Sequence, residues 1–167
     1  MSGSKFSSDP EAPVYERPPA EPIRIDAKAG SEDEPLLDFY PAPVPLMSKK
    51  LLDLFRAARV DNIDAYRADI FLPDGSRVPA ECFCVNIVGK IMAADLEKSL
   101  YDPGQEDRMI AMEFDSLEVD EKAAGGALVF RLGEAVGTIL VHKKVKESVE
   151  AAGLPSVVFY PPGEVAI

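Results

Sequence analysis

Residues 47–66, MSKKLLDLFRAARVDNIDAY, contain the pattern that decides the fold. The apolar residues of the first half recur at helical spacing: Leu51, Leu52, Leu54, Phe55 and Ala58. Ser48 precedes them, and a serine hydroxyl at this position can accept a hydrogen bond from the first helical turn. The pattern predicts an amphipathic helix over about residues 48–59, followed by a short turn and a strand.

A second stretch, VHKKVKESVEAAGLPSVVFY at residues 141–160, aligns with the first one without gaps. Its apolar residues again lie at helical spacing, and Gly153 followed by Pro155 marks where a helix ends. The stretch predicts a helix over about residues 142–152 and a closing strand in SVVFY. The likeness has two interpretations: an old duplication, or the general similarity of any amphipathic helix that leads into a strand. Neither assigns a function.

Further strands are predicted on both sides of the turn sequence Pro-Asp-Gly-Ser at residues 73–76. Proline presets φ and glycine tolerates positive φ, so the flanking segments IDAYRADIFL and VPAECFCVNIVG predict a β-hairpin. Residues 109–119 place Ile110, Met112 and Phe114 on one face and acidic residues on the other, which predicts another strand. GALVFRL and GTILV predict two more. These elements predict an α+β fold, a single domain with an antiparallel or mixed β-sheet packed by two main helices.

The first 45 residues have a different composition from the rest of the chain. They hold nine of the fifteen prolines, together with many Ser, Glu, Asp and Ala residues. Such a segment offers little apolar surface to offset the entropy of ordering. It predicts a flexible, Pro-rich N-terminal arm over residues 1–22, followed by a single α+β domain over residues 23–167.

The charge and composition of the 167 residues exclude several classes of protein. The net charge of −11 repels the phosphates of nucleic acids. No apolar run approaches the ~20 residues of a membrane span, and residues 1–8 lack the apolar region of a secretory signal. We therefore expect a cytoplasmic protein that binds neither nucleic acid nor membrane. Cys82 and Cys84 lie in an apolar run and are expected to be reduced core residues.

An acidic stretch covers residues 95–121, DLEKSLYDPGQEDRMIAMEFDSLEVDE. It carries a formal charge of −8, since it contains ten acidic residues and only two basic ones, Lys98 and Arg108. The stretch is either a solvated face or a docking surface for a cationic partner, whose association it would accelerate. A metal site is not indicated, because the stretch lacks a calcium-loop pattern and the chain has one histidine. That histidine, His142, aligns with the helix-capping Ser48, so a nucleophile–base set is not indicated either.

Six short motifs occur in order along the chain. They are Pro45 with Ser48, Val60-Asp61-Asn62-Ile63, Asn86-Ile87, Asp95-x-Glu97-x-Ser99, Phe130-Arg131-Leu132, and Gly153. The ordered set covers about residues 36–160 and resembles a bacterial family described as immunity proteins of polymorphic toxin systems, the myxobacterial-type immunity domain. Two features depart from the family pattern. His142 stands where members often have a capping serine, and the Pro-rich arm is shorter than the usual leading region.

The resemblance implies a cytoplasmic inhibitor that binds and silences a co-encoded toxin without catalysis of its own and without a cofactor or metal. A cognate, basic toxin would bind the acidic surface at Glu106, Asp107, Glu113, Asp115, Glu118, Asp120 and Glu121. The motif residues are interpreted as structural: Ser48, Asp61, Asn62, Asn86, Asp95, Glu97, Ser99, Arg131 and Gly153. The carboxylates and the hydroxyl in the Asp-x-Glu-x-Ser motif are expected to hold a turn through bonds to backbone N–H groups.

Two other functions stay open on the sequence alone. A small hydrolase or transferase would need Asp95, Glu97 and His142 to converge in one pocket. A non-inhibitory scaffold or regulatory module would use the acidic stretch only to stay soluble. The sequence leaves the identity of the toxin and the oligomeric state open.

Overall fold

A computed structural model describes most of the chain: residues 19–28, 36–41, 44–102, 104, 110–164 and 166–167. The predicted flexible arm, residues 1–22, falls largely outside these ranges. The first described strand, β1, begins just after the arm at Ile23.

Within the described residues the backbone forms ten strands and three helices. In chain order they are β1 (Ile23–Asp26), β2 (Phe39–Tyr40), β3 (Leu46–Ser48), α1 (Lys49–Ala57), β4 (Ile63–Phe71), β5 (Cys82–Ile87), β6 (Lys90–Ile91), β7 (Leu100–Tyr101), β8 (Phe114–Ser116), α2 (Glu121–Ala124), β9 (Val129–Leu132), β10 (Ile139–Val141) and α3 (Lys143–Ala151). This arrangement confirms the predicted α+β class. None of the described helices is long and apolar enough to cross a membrane.

The helices α1 and α3 are the two that the apolar spacing predicts. Each has nine residues, and the two pack against each other. α1 buries Leu51, Leu52 and Phe55, whereas α3 buries Val145 and Val149. The apolar faces inferred from the sequence are therefore the faces that the helices bury.

A side chain caps the first turn of each helix. The Ser48 Oγ accepts a hydrogen bond from the Leu51 N–H (3.2 Å), and the His142 Nδ1 accepts one from the Lys144 N–H (3.1 Å). These N–H groups have no partner inside the helix, so the caps satisfy donors that would otherwise depend on water. A serine cap of this kind contributes about 1 kcal/mol to stability.

Five strands form a mixed sheet in the order β1-β4-β5-β3-β2. β4 and β5 are antiparallel, which confirms the predicted hairpin, whereas β1 runs parallel to β4. In the hairpin turn the Asp74 Oδ1 accepts hydrogen bonds from the Ser76 N–H (2.8 Å) and hydroxyl (2.6 Å). Gly75 adopts a φ of 84°, which glycine tolerates without strain.

The remaining strands form two smaller sheets. In the three-stranded sheet β10-β9-β6, β9 is antiparallel to β10 and parallel to β6. The two-stranded sheet pairs β7 with β8 in antiparallel fashion, with a shift of register between Leu100 and Tyr101. This last pair lies within the acidic stretch that the sequence singles out.

Buried apolar side chains join these layers. The largest group draws on both nine-residue helices and both larger sheets, and includes Met47, Phe55, Val85, Val129 and Val149. A second group lies against β8 and β9 and includes Phe114 and Leu132. Burial of each such side chain contributes about 1.5–3 kcal/mol relative to its exposure. The second group therefore supports the described part of the acidic stretch around β8.

The two cysteines lie in a third buried group, on one face of β5. Both are free thiols, and burial raises the pKa of Cys82 and of Cys84. Because the thiolate is the reactive form, the raised pKa keeps these side chains unreactive near neutral pH.

Two of the predicted strands are wrong in whole or in part. The SVVFY segment forms no strand, and Val158 and Tyr160 are exposed. Of the described residues between 110 and 119, only Phe114–Ser116 form a strand, because the neighbouring β7 offers just two residues to pair with. Ile110, expected on the buried face, is 52% exposed.

Candidate functional site

The candidate site is a pair of antiparallel segments, residues 93–102 and 112–121, which we call the acidic ribbon. Backbone hydrogen bonds join the segments: the Asp95 N–H donates to the Glu118 oxygen (2.8 Å), and β7 pairs with β8 further along. Its inner side chains, such as Phe114, belong to the second buried group. The ribbon is thus held to the protein by an apolar face, which leaves its other face toward solvent.

Eight carboxylates and one lysine give the acidic ribbon a formal charge of −7. Seven of the carboxylates belong to exposed residues: Glu97, Asp102, Glu113, Asp115, Glu118, Asp120 and Glu121. The eighth, Asp95, is partly buried. Carboxylates at this density produce a negative potential that attracts cationic molecules over about a Debye length, ~10 Å at 0.1 M salt.

The one lysine of the acidic ribbon is paired inside it. Lys98 Nζ lies 2.5 Å from the Asp95 Oδ2. The hydrogen bond from the Lys98 ammonium lowers the pKa of Asp95, and the same bond raises the pKa of Lys98. The Asp95 carbonyl also accepts hydrogen bonds from the Lys98 N–H (3.1 Å) and the Ser99 N–H (2.8 Å). Asp95 therefore closes the turn that leads into β7.

Ser99, the last residue of the Asp-x-Glu-x-Ser motif, ties the two segments of the ribbon together. Its buried hydroxyl accepts a hydrogen bond from the Glu118 N–H (2.9 Å) and donates one to the Glu118 oxygen (3.3 Å). Glu97, the middle residue of the motif, is exposed. The hydroxyl of the motif thus bonds to backbone, whereas the Glu97 carboxylate lies at the surface.

Asp120 has a structural task besides its charge. Its Oδ1 accepts hydrogen bonds from the Lys122 N–H (2.8 Å) and the Ala123 N–H (3.2 Å), so it caps the short helix α2. Glu121 is the first residue of that helix. The sequence contains a signal for α2, since Asp120 is followed by Glu-Lys-Ala-Ala-Gly. This helix is not among the predicted elements, because the alternation of apolar and acidic residues up to Val119 favours a strand.

Glu134 is a buried carboxylate that sequence reasoning missed. Only 4% of the residue is exposed, and its two carboxylate oxygens accept hydrogen bonds from the Ala93 N–H (3.3 Å) and the Ala94 N–H (3.2 Å). The Glu134 carbonyl also accepts from the Met112 N–H (2.9 Å). One residue of the turn after β9 therefore holds the beginning of both segments of the acidic ribbon. An acid inside the apolar run VFRLGEAVGTILV is the only signal in the sequence.

Three other motif residues bond to backbone away from the ribbon. The Asn62 Nδ2 donates to the carbonyl oxygens of Val88 and Val129, both at 2.9 Å, and so joins the turn before β4 to the residue after β5 and to β9. Arg131 Nη1 donates to the Val136 oxygen (3.0 Å) across the β9–β10 turn. The Gly153 N–H donates to the Glu150 oxygen (3.0 Å), and Gly153 adopts a φ of 66° two residues after the end of α3.

The remaining predicted residues are at the surface or beyond what the structure describes. Asp61 and Asn86 are exposed, and the Asn86 amide reaches the Asp64 carboxylate only at 3.5 Å. Glu106 and Asp107, two of the seven predicted toxin contacts, lie outside the described residues. The other five are all exposed and all belong to the acidic ribbon.

The three residues of the enzyme alternative have different surroundings. The ring Nδ1 of His142 caps α3. The backbone N–H of His142 donates to the Leu128 oxygen (2.8 Å). Asp95 bonds to Lys98 within the acidic ribbon. No hydrogen bond joins His142, Asp95 and Glu97 in the part of the chain that the structure describes. In the same ranges no three His, Cys, Asp or Glu side chains gather as a metal site would require.

Comparison with known protein families identifies the family of the chain. The model of the immunity protein family Imm11 matches residues 8–164, which is nearly the whole chain. The chain belongs to this family. The match confirms the resemblance drawn from the six motifs, and it extends their range of 36–160 in both directions. A comparison with curated proteins finds no match.

Proposed function

We propose that this Imm11 protein acts in the cytoplasm, where it binds and neutralises a cognate, basic toxin through the acidic ribbon. Membership of an immunity protein family supports the role of an inhibitor. The observation that supports the ribbon as the contact surface is its charge: seven exposed carboxylates and one lysine, which is already paired with Asp95.

The way the acidic ribbon is held also favours binding. Ser99 and Glu134 fix its backbone through hydrogen bonds, and Phe114 anchors it in a buried group. A surface that is rigid before binding loses little conformational entropy when the partner arrives. Fixed carboxylates accelerate the encounter with a basic protein and disfavour acidic ones.

A toxicity rescue assay tests the proposal. Glu113, Asp115 and Glu118 are changed together to Lys, and Asp120 is kept because its carboxylate caps α2. Substitutions at exposed positions usually change stability by within about 0.5 kcal/mol each, so the variant should fold. We expect cells that express the toxin encoded by the neighbouring gene to survive with the wild-type protein and to die with the triple variant at the same protein level.

A matched variant controls for charge itself. Asp26, Glu81 and Glu147 are exposed and lie outside the acidic ribbon, and changing all three to Lys alters the net charge by the same amount. This control should protect cells as the wild type does. Full protection by the ribbon variant, at equal abundance and melting temperature, would contradict the proposal.

A further inference from the structure

The acidic ribbon exposes apolar side chains as well as carboxylates. Among the described residues, nine large hydrophobic side chains are exposed, and four of these lie in the ribbon or next to its ends: Met92 (56%), Leu96 (39%), Leu100 (64%) and Ile110 (52%). A single exposed leucine on a protein surface needs no explanation. Four within one strongly charged region are unusual for a face whose only task is to stay hydrated.

Leu100 lies opposite an irregularity in the second strand of the ribbon. Leu100 pairs with Ser116 and Tyr101 pairs with Phe114, so Asp115 is an extra residue in the strand opposite. Extra residues of this kind bend a strand and redirect side chains. Ser99 on one side of Leu100 is buried and Tyr101 on the other is partly buried, whereas Leu100 itself is mostly exposed. The ribbon therefore exposes an apolar side chain on the strand opposite the irregularity at Asp115, whose own residue is exposed.

Met92 and Ile110 lie next to the ends of the ribbon where Glu134 holds it. The Gly133 N–H donates to the Ile91 oxygen (2.7 Å) and the Val136 N–H donates to the Ile110 oxygen (3.1 Å), so both residues border the turn after β9. A Cβ at position 133 would overlap the Met92 Sδ and lie 3.0 Å from the Met92 backbone nitrogen, so the end of the Met92 side chain lies over Gly133 while most of the residue stays exposed. The backbone at Ile110, and at Ile91 next to Met92, is thus held by hydrogen bonds.

We infer that Leu96, Leu100, Met92 and Ile110 are the anchors of the toxin interface, and that the toxin presents apolar side chains among its cationic ones. This inference rests on the proposed function of the acidic ribbon. The surrounding carboxylates select a cationic protein as the occupant, because an acidic partner or a second copy of this chain would be repelled by like charge. In this division of roles, charge sets the rate of association and apolar contact sets the rate of dissociation.

The test measures association and dissociation rates against the protein encoded by the neighbouring gene. Leu100→Asn should raise the dissociation rate about ten-fold, since it removes the apolar surface that the complex buries, and should leave the association rate nearly unchanged. Leu100→Ala provides a milder change at the same position. Val158→Asn is the matched control: Val158 is 63% exposed, almost the same as Leu100, but lies outside the ribbon. It should leave both rates unchanged.

Poly-L-lysine serves as a second probe. It is cationic, and its only apolar groups are the methylene groups of the lysine side chains. Its binding should be weakened by the Glu113, Asp115 and Glu118 triple variant and left unchanged by Leu100→Asn. If the neighbour-encoded protein dissociates from both Leu100 variants at the wild-type rate while the triple variant still slows its association, the anchors are wrong and the charged surface stands. If that protein does not bind the wild type, the proposed function itself fails.

Discussion

The two stretches that align without gaps, residues 47–66 and 141–160, share a conformation through their first thirteen positions and then differ. Each enters its helix from a short strand, and each is capped by its second residue, Ser48 or His142. After each helix the chain turns through a positive φ at the same aligned position, 70° at Arg59 and 66° at Gly153. Beyond this turn the first stretch continues into the nine-residue strand β4, whereas the second forms no strand.

The side chains of one aligned pair, Asn62 and Ser156, bind different partners. The Asn62 side chain, directly before β4, donates to the carbonyl oxygens of Val88 and Val129. The Ser156 Oγ instead donates to the Asp38 carboxylate (2.6 Å) and accepts from the Asp38 N–H (3.0 Å). The same carboxylate also accepts a hydrogen bond from the Ser48 hydroxyl (2.7 Å).

The comparison separates what local pattern determines from what distant partners determine. Helical spacing, a capping residue and a turn with positive φ are local, so both stretches have them. A strand needs a neighbouring strand with free N–H and C=O groups, and β4 lies between β1 and β5. In the alignment of the two stretches, Pro155 occupies the position of Asp61, and proline has no backbone N–H to donate.

The largest expected effect concerns how much each helix contributes to the core. Phe55→Ala should destabilise the protein by about 3–5 kcal/mol, because it removes a ring that is 4% exposed and leaves a cavity. Val149→Ala, at the aligned and fully buried position, removes two carbons and should cost about 2 kcal/mol. Chemical denaturation measures both. An unchanged midpoint for either variant would show that the two helices do not share the core in this way.

A smaller effect tests the two turns against each other. Arg59 has a side chain in a backbone region that favours glycine, so Arg59→Gly should stabilise the protein by about 0.5–1 kcal/mol. Gly153→Ala should destabilise it by a similar amount for the same reason. Thermal unfolding measures both variants: the melting temperature should rise for Arg59→Gly and fall for Gly153→Ala. Shifts of the same sign would mean that the two turns are not equivalent.

The parts of the fold that could be predicted from the sequence are those with local signals. The spacing of apolar residues behind Ser48 gives α1, and the Pro-Asp-Gly-Ser turn gives the β4–β5 hairpin. The missing strand at residues 156–160 and the exposure of Ile110 depend on which backbone edges are available. Distant parts of the chain decide which strand edges are free to pair, so a local sequence pattern cannot predict these features.

The candidate site follows the same division. The density of acidic residues is visible in the sequence, and so is the exposure of alternate side chains such as Asp115. The hydrogen bonds from the Ala93 and Ala94 N–H groups to the Glu134 carboxylate span about forty residues of chain, so no local pattern predicts them. The exposed apolar residues in and next to the ribbon cannot be distinguished from core residues in the sequence. Only the folded structure shows that Leu100 is exposed on the strand that pairs with β8.

The measurement that tests the acidic ribbon most directly is the salt dependence of association with the neighbour-encoded toxin. For the wild type, the association rate should be high at low salt and fall as salt screens the carboxylates. For the Glu113, Asp115 and Glu118 to Lys variant, which changes the formal charge of the ribbon from −7 to −1, the rate at low salt should be much lower and should change little as salt is added. Equal rates for the two proteins at low salt, with no dependence on salt in either, would contradict the account.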